Sequence, residues 1–224
     1  MTVVNSISDD SFDPPVRGFV HLSENTNGDA LILTHGAGSN CNAPLLVALS
    51  EALATEGYAV LRCDLPFRQE RHAGPPSPGN AERDRVGLRN AVAAMRKQIS
   101  GRIFLGGHSY GGRQSTMLSA AEPALVAGLL LLSYPLHPPR KPDQLRTQHL
   151  PSLRTPSVFV QGTRDPFGSV EEIEKALRLI PARTELLKVE GAGHDLGFKG
   201  KARDQELLQQ IVTAFTSALG LADC

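Results

Sequence analysis

The sequence predicts an α/β fold: one doubly wound, mostly parallel sheet with helices on both faces and no cap domain. Three observations carry this expectation. Short apolar runs alternate with longer segments of helical periodicity from Ala30 onward. The runs are apolar on both faces, as strands covered on two sides are. Only two connections, Asp64 to Asn80 and Tyr134 to Pro156, are long, and neither could hold a folded cap.

The elements follow in order. Residues 1–17 read as a polar leader ahead of a domain spanning 18–224, and Gly18 to Ser23 as a first strand, closed by the turn-forming run Glu24 to Asp29. Ala30 to Thr34 is a strand ending in His35-Gly36-Ala37-Gly38. Asn42 and Pro44 then open a helix that carries Leu45, Leu46, Leu49 and Leu53 on one face and stops at Gly57. Tyr58 to Cys63 is a strand, Asp64 to Asn80 a polar, proline-rich loop, and Glu82 to Ile99 a helix. The rest is an alternation of strand (Arg102 to Gly106, Ala127 to Ser133, Ser157 to Gln161, Thr184 to Val189) and helix (Gly111 to Ala121, Val170 to Leu179, Lys201 to Leu219).

Composition narrows the function. Lys plus Arg and Asp plus Glu are 23 each, so no global field favours nucleic acid or an anionic membrane, and a small molecule is the expected partner. The first fifteen residues lack the basic and apolar regions of a signal peptide, and the longest apolar run, Ala127 to Leu132, is too short to span a bilayer. Cys41, Cys63 and Cys224 are scattered, without zinc-like spacing. A reducing, cytoplasmic setting is expected, with no metal and no cofactor, and a monomer or homodimer.

In an open parallel sheet ligands bind beyond the carboxyl ends of the strands, so chemistry is sought there. Ser109, in Gly107-His108-Ser109-Tyr110-Gly111, lies between a strand and a helix, where a tight turn exposes a nucleophilic hydroxyl. A serine hydroxyl needs a base, and the base an orienting acid. His194, in the glycine-rich loop after the last strand, is the candidate base. Asp165, after Ser157 to Gln161, is the candidate acid, because the neighbouring strand ends in Ser133-Tyr134-Pro135 without a carboxylate and Asp195 adjoins His194 too closely. Oxyanion donors are expected from the Tyr110 N–H and from Ala37, with Gly36 the alternative. His35 and His108 read as packing residues.

Leu33 to Gly38, Gly106 to Arg113, Phe159 to Gly168 and the stretch Tyr134 to Pro151 together resemble the α/β-hydrolase superfamily, specifically its KANL3/Tex30-like, dienelactone-hydrolase-related group. The resemblance implies a capless hydrolase fold, a Ser109-Asp165-His194 triad and a poorly defined substrate; the triad chemistry itself leads one to expect a small ester-like one. It also implies a second option, a non-catalytic interaction module, because some members of the group are components of protein assemblies. Dienelactone hydrolase itself resembles the chain less at Ser109, where it uses a cysteine.

Arg68, Arg113 and His137 are candidate substrate-facing residues. An internal ion pair between Asp64 and one of Arg68, Arg71 or Arg113 is the expected arrangement, with substrate contact the alternative. The loop 134–156 carries His137, Arg140, Lys141, Arg146 and His149 against Asp143 alone. Overhanging the pocket, it would favour acidic or polar acyl groups; facing solvent, it would favour none.

Overall fold

A computed structural model of the chain describes residues 2–77, 79–198 and 205–219. Eight strands, β1 (Thr2–Asp9), β2 (Val16–Ser23), β3 (Ala30–Thr34), β4 (Ala59–Cys63), β5 (Ile103–His108), β6 (Gly128–Leu132), β7 (Ser157–Gly162) and β8 (Thr184–Val189), form one sheet in the order β1-β2-β4-β3-β5-β6-β7-β8. β1 and β2 pair antiparallel, as do β2 and β4, and every pairing from β4 to β8 is parallel. The helices are α1 (Pro44–Thr55), α2 (Pro66–Glu70), α3 (Asn80–Arg96), α4 (Tyr110–Ala121), α5 (Val170–Leu177) and α6 (Gln205–Leu219).

The period-2 geometry of the strands builds two cores. Leu31 and Leu33 of β3, with Leu130 and Leu132 of β6, point to the face covered by α1 and α6. Ile32, Leu129 and Leu131 point to the opposite face, beneath α3, α4 and α5. Both sets are fully buried, which is why these strands read as continuous apolar runs. On the first face Tyr58, Phe104 and Phe215 meet edge to face, with centroids 5.1 to 6.3 Å apart, and fasten α6 to the sheet.

The N-terminal segment corrects the expectation of a leader. Thr2–Asp9 is an edge strand, in register with β2 from Thr2 opposite Ser23 to Asp9 opposite Val16. Main-chain hydrogen bonds hold it rather than side-chain burial: Val3 and Val4 are 51% and 46% exposed, so no buried apolar pattern marked it. Within 64–80 the structure adds the short helix α2, begun by Pro66 at a first-turn position. The expected onset of the last helix at Lys201 lies outside the described residues. Among the described residues no helix is long and apolar enough to cross a membrane.

The winding reverses at β3, which is flanked by β4 on one side and β5 on the other. The crevice at that reversal is where an open α/β sheet binds ligands. Phe215→Ala removes the fully buried ring that holds α6 and should cost about 3–5 kcal/mol, read as a lowered urea midpoint; a loss under about 1 kcal/mol would show that the cluster does not anchor the helix.

Candidate active site

Ser109 sits between β5 and α4 with φ 52° and ψ −116°. Its N–H donates to Leu132 O at 2.8 Å, and the Gly111 N–H donates to His35 O at 3.2 Å, so β6 and the β3 turn clamp the bend from two sides. Two glycines are obligatory here. A Cβ on Gly107 would come within 2.3 Å of Thr34 O, and one on Gly111 within 2.6 Å of His35 O. The turn closes only because strand, turn and helix backbone touch directly.

The loop after β8 brings His194 over this bend. His194 Nε2 lies 2.7 Å from Ser109 Oγ and His194 Nδ1 lies 2.8 Å from Asp165 Oδ2. The Asp165 side chain is fully buried, while that of His194 is 21% exposed. Asp165 also accepts from Gln161 Nε2 at 3.0 Å and from the Phe167 N–H at 2.8 Å. Phe167 stacks on the imidazole with centroids 4.1 Å apart. Behind them, His108 donates from Nε2 to His194 O at 2.7 Å, and burial pushes its pKa down to about 4, so the ring stays neutral.

The turn after β3 is held equally firmly. His35, wholly buried and lowered in pKa by that burial, donates from Nδ1 to Gly36 O at 2.9 Å and accepts the Leu65 N–H at 3.1 Å through Nε2. Arg68 donates to Ser39 O, Ala37 O, Arg71 O and Gly74 O at 2.7 to 3.0 Å. The expected ion pair with Asp64 does not form; Asp64 instead accepts the Cys41 N–H at 2.7 Å and lies 3.4 Å from His35 Nε2. Carbonyls take four of the five N–H donors of the buried Arg68 side chain, so it braces the turn instead of facing a substrate. Neither the Ala37 N–H nor the Tyr110 N–H donates to an acceptor among the described residues.

A cavity of about 490 Å³ opens over Ser109, bounded by residues 36–39, His108, Tyr110, Phe167 and His194, and by Arg113, Pro135 and Arg146. The proline-rich loop therefore overhangs the site. His137 does not: it is buried, with Nδ1 2.8 Å from Pro138 O and Nε2 3.4 Å from Glu172, and ties the loop to α5. A second hollow, about 390 Å³ and lined by Leu45, Leu46 and Phe198, lies on the far side of Gly36 and His108.

Residues 27–220 match the family described as alpha/beta hydrolase domain. The chain belongs to that family. Solved structures with the same fold include a dienelactone hydrolase from Anabaena variabilis (TM-score 0.75, 19% identity, 97% of this chain and 99% of that one). An α/β serine hydrolase without lid from Xanthomonas campestris is similar (TM-score 0.75, 16% identity, 99% and 97%), as is an esterase from Pyrococcus furiosus (TM-score 0.76, 17% identity, 97% and 92%).

The sequence reading of this α/β-hydrolase domain overlooked Gln161, Phe167 and Arg146. Gln161 and Phe167 flank Asp165 in the chain, and a search for what could hold its second oxygen would have found them. Arg146 stood among several cations of one loop, and only the fold separates it from Arg140, which is exposed.

Burial also makes the domain sensitive to acid. His21, His108 and His149 each have a pKa lowered by burial from 6.5 to about 4, with Arg62 adding to the effect at His21 and Arg113 and Arg85 at His149. Between pH 6.5 and 4 the unfolded chain binds protons that the fold refuses, so stability is complete above about 6.5 and declines as pH falls toward 4. Asp84, raised by burial, acts in the opposite direction but is one group against three. Urea midpoints should fall steadily from pH 7 to pH 4.5; a flat profile would contradict the burial of these rings as neutral species.

Proposed function

We propose that the chain is a serine hydrolase of the carboxylesterase type, acting on a small ester through an acyl-enzyme. The observation that carries this reading is the continuous relay from Asp165 through His194 to Ser109, opening on a cavity. Its protons run in one direction. Asp165 accepts from His194 Nδ1–H, which leaves Nε2 as the free base that takes the Ser109 proton. Ser109 Oγ bonds to the ester carbon, the C–O bond to the alcohol breaks, and His194 returns its proton to the departing alkoxide. Water then gives a proton to His194 and its oxygen to the acyl carbon, and the acid leaves as Ser109 is reprotonated.

The Ala37 and Tyr110 N–H groups form the oxyanion hole in this reading, Gly36 being the alternative to Ala37. The support is that both residues line the cavity and neither N–H has an acceptor among the described residues, with Tyr110 at the positive end of α4. Arg68 and His35 fix the carbonyls around Ala37 and so set the direction of its N–H. Within the family, the blocks around His35, Ser109 and Asp165 favour the KANL3/Tex30-like group. We place the activity in the cytoplasm, without metal or cofactor, in a monomer or homodimer with a small-molecule substrate and neither nucleic acid nor membrane as partner.

Ser109→Ala should lower turnover of p-nitrophenyl butyrate by a factor of about 10⁴ or more without loss of fold. A fluorophosphonate should label Ser109 stoichiometrically in the folded protein; absence of labelling in protein with native circular dichroism would sink the assignment. Gln161→Leu keeps the size of the side chain but leaves Asp165 Oδ2 with one donor fewer. It should reduce kcat by about tenfold, with KM little altered, because it acts through the orientation of His194. An unchanged kcat would show that Gln161 only supports the loop.

A further inference from the structure

The cavity over Ser109 has two ends of different character. Toward Phe167 and the β3 turn it is lined by Gly36, Ala37, Gly38, Ser39 and Phe167, none of them a cation. Toward α4 and the proline-rich loop it meets Arg113 and Arg146, each partly buried. Arg113 lies one helical turn beyond Ser109, its N–H bonded to Ser109 O at 3.0 Å, so its starting point is fixed relative to the nucleophile. Arg146 is pinned through its backbone: its N–H donates to Leu136 O at 2.8 Å and its carbonyl accepts the Tyr134 hydroxyl at 3.0 Å.

These two cations line the cavity without a neutralising carboxylate; Arg62, also buried and without one, lies outside the cavity and spends its donors on His21, Cys41 O and Asn42. Arg17, Arg83, Arg85, Arg89 and Arg102 all have carboxylate partners, and Arg68 spends its donors on carbonyls. Neither Arg113 nor Arg146 has a carboxylate within ion-pair distance among the described residues. The buried Nε of Arg113 has no hydrogen-bond partner, and Arg146 gives one bond, to Pro135 O at 3.2 Å. Nearby groups supply no counter-charge. Asp84 is engaged by the Tyr110 hydroxyl and the Phe67 N–H, Glu82 by Arg85 and Glu122 by Arg89. His149, beside Thr116 at 2.8 Å, is held neutral by burial and by the charge of Arg113. Arg146 is itself pushed below its ordinary pKa, first by burial and then by Arg113. Two like charges facing one cavity without an anion repel each other, and an anion placed between them converts that repulsion into two charge-assisted hydrogen-bond sets.

We infer that Arg113 and Arg146 form a carboxylate subsite, so that the substrate is a half-ester of a short dicarboxylic acid, its free carboxylate held at the arginine end while Ser109 attacks the ester. This rests on the acyl-transfer reading of Ser109 and adds the substrate class. Because Arg113 starts one helical turn from Ser109, a short acyl group of glutarate size is the one chosen for the test.

The test compares mono-p-nitrophenyl glutarate with its methyl-capped, uncharged analogue. The wild-type protein should favour the acid by about tenfold or more in kcat/KM, and the preference should shrink with added salt. Arg113→Met and Arg146→Met should each erase most of that ratio, Arg→Lys should restore part of it, and Arg140→Gln, on the same loop but exposed, should retain it. A wild-type ratio near one, with the neutral ester turned over, overturns the subsite and leaves the hydrolase reading standing. A second measurement covers an inactive protein: glutarate binding to folded Ser109→Ala by calorimetry. Binding that is lost in Ser109→Ala/Arg113→Met supports the subsite even if no ester is cleaved, which is failure of the acyl-transfer reading alone. No binding, together with no preference, overturns the subsite.

Discussion

The constraint on which the rest of the site depends is the bend at Ser109. A non-glycine residue at φ 52° costs on the order of 1–3 kcal/mol and persists only where its surroundings over-determine it. Here the surroundings are three adjacent strands. β6 accepts the Ser109 N–H, the β3 turn accepts the Gly111 N–H, and Gly107 and Gly111 let Thr34 and His35 press directly on the bend. Those contacts are backbone to backbone, so they fix the hydroxyl to the register of the parallel sheet and not to any adaptable side chain. The same contacts place the β3 turn beside the N-terminus of α4, so that Ala37 and Tyr110 line one cavity.

Around that bend lies a shell of buried polar groups whose hydrogen bonds are made in the neutral state. His35 bridges Gly36 O and the Leu65 N–H, His108 secures the backbone of His194, and Gln161 supports Asp165. For the two histidines burial penalises the charged form, and Gln161 carries no charge, so the local field is left to Asp165, Arg113 and Arg146. Arg68 is the exception that keeps its charge, and its four carbonyl acceptors supply the compensation that a carboxylate would otherwise give. The segment after β4 is thereby not a free lid. It is tied through Arg68 to the turn that borders Ser109, so movement of 66–74 and reorientation of Ala37 are one event.

The fold was legible because its information lies in fully buried strands and amphipathic helices, whose periodicity survives in the sequence. The expected strands from Ala30 onward differ from the observed ones by a residue or two at their ends. β1 escaped notice for the converse reason: an edge strand held by main-chain pairing leaves no buried side-chain pattern. That Ser109, Asp165 and His194 would come together was legible from position, since each follows a strand whose carboxyl end reaches the same edge. Side-chain destinations were not. Arg68 and His137 occupy the right loops, yet one turns to carbonyls and the other to Glu172, because a long side chain follows whichever acceptor the fold leaves unpaired. A sequence does not reveal which carbonyls those are.

The same reasoning explains why the arginines of the cavity differ from the rest. On the outer surface, an arginine beside a carboxylate gains little but loses little, since water screens both. Inside a walled cavity, screening is weaker, and a cation without a partner retains most of its field. The structure resolves the unpaired carbonyls near Ser109 with Arg68 and the unpaired carboxylate with His194, but it leaves Arg113 and Arg146 lining one cavity without a carboxylate between them. Residues that brace a fold end in satisfied contacts. These two line a cavity, at the edge of the sheet where the chain also places Ser109.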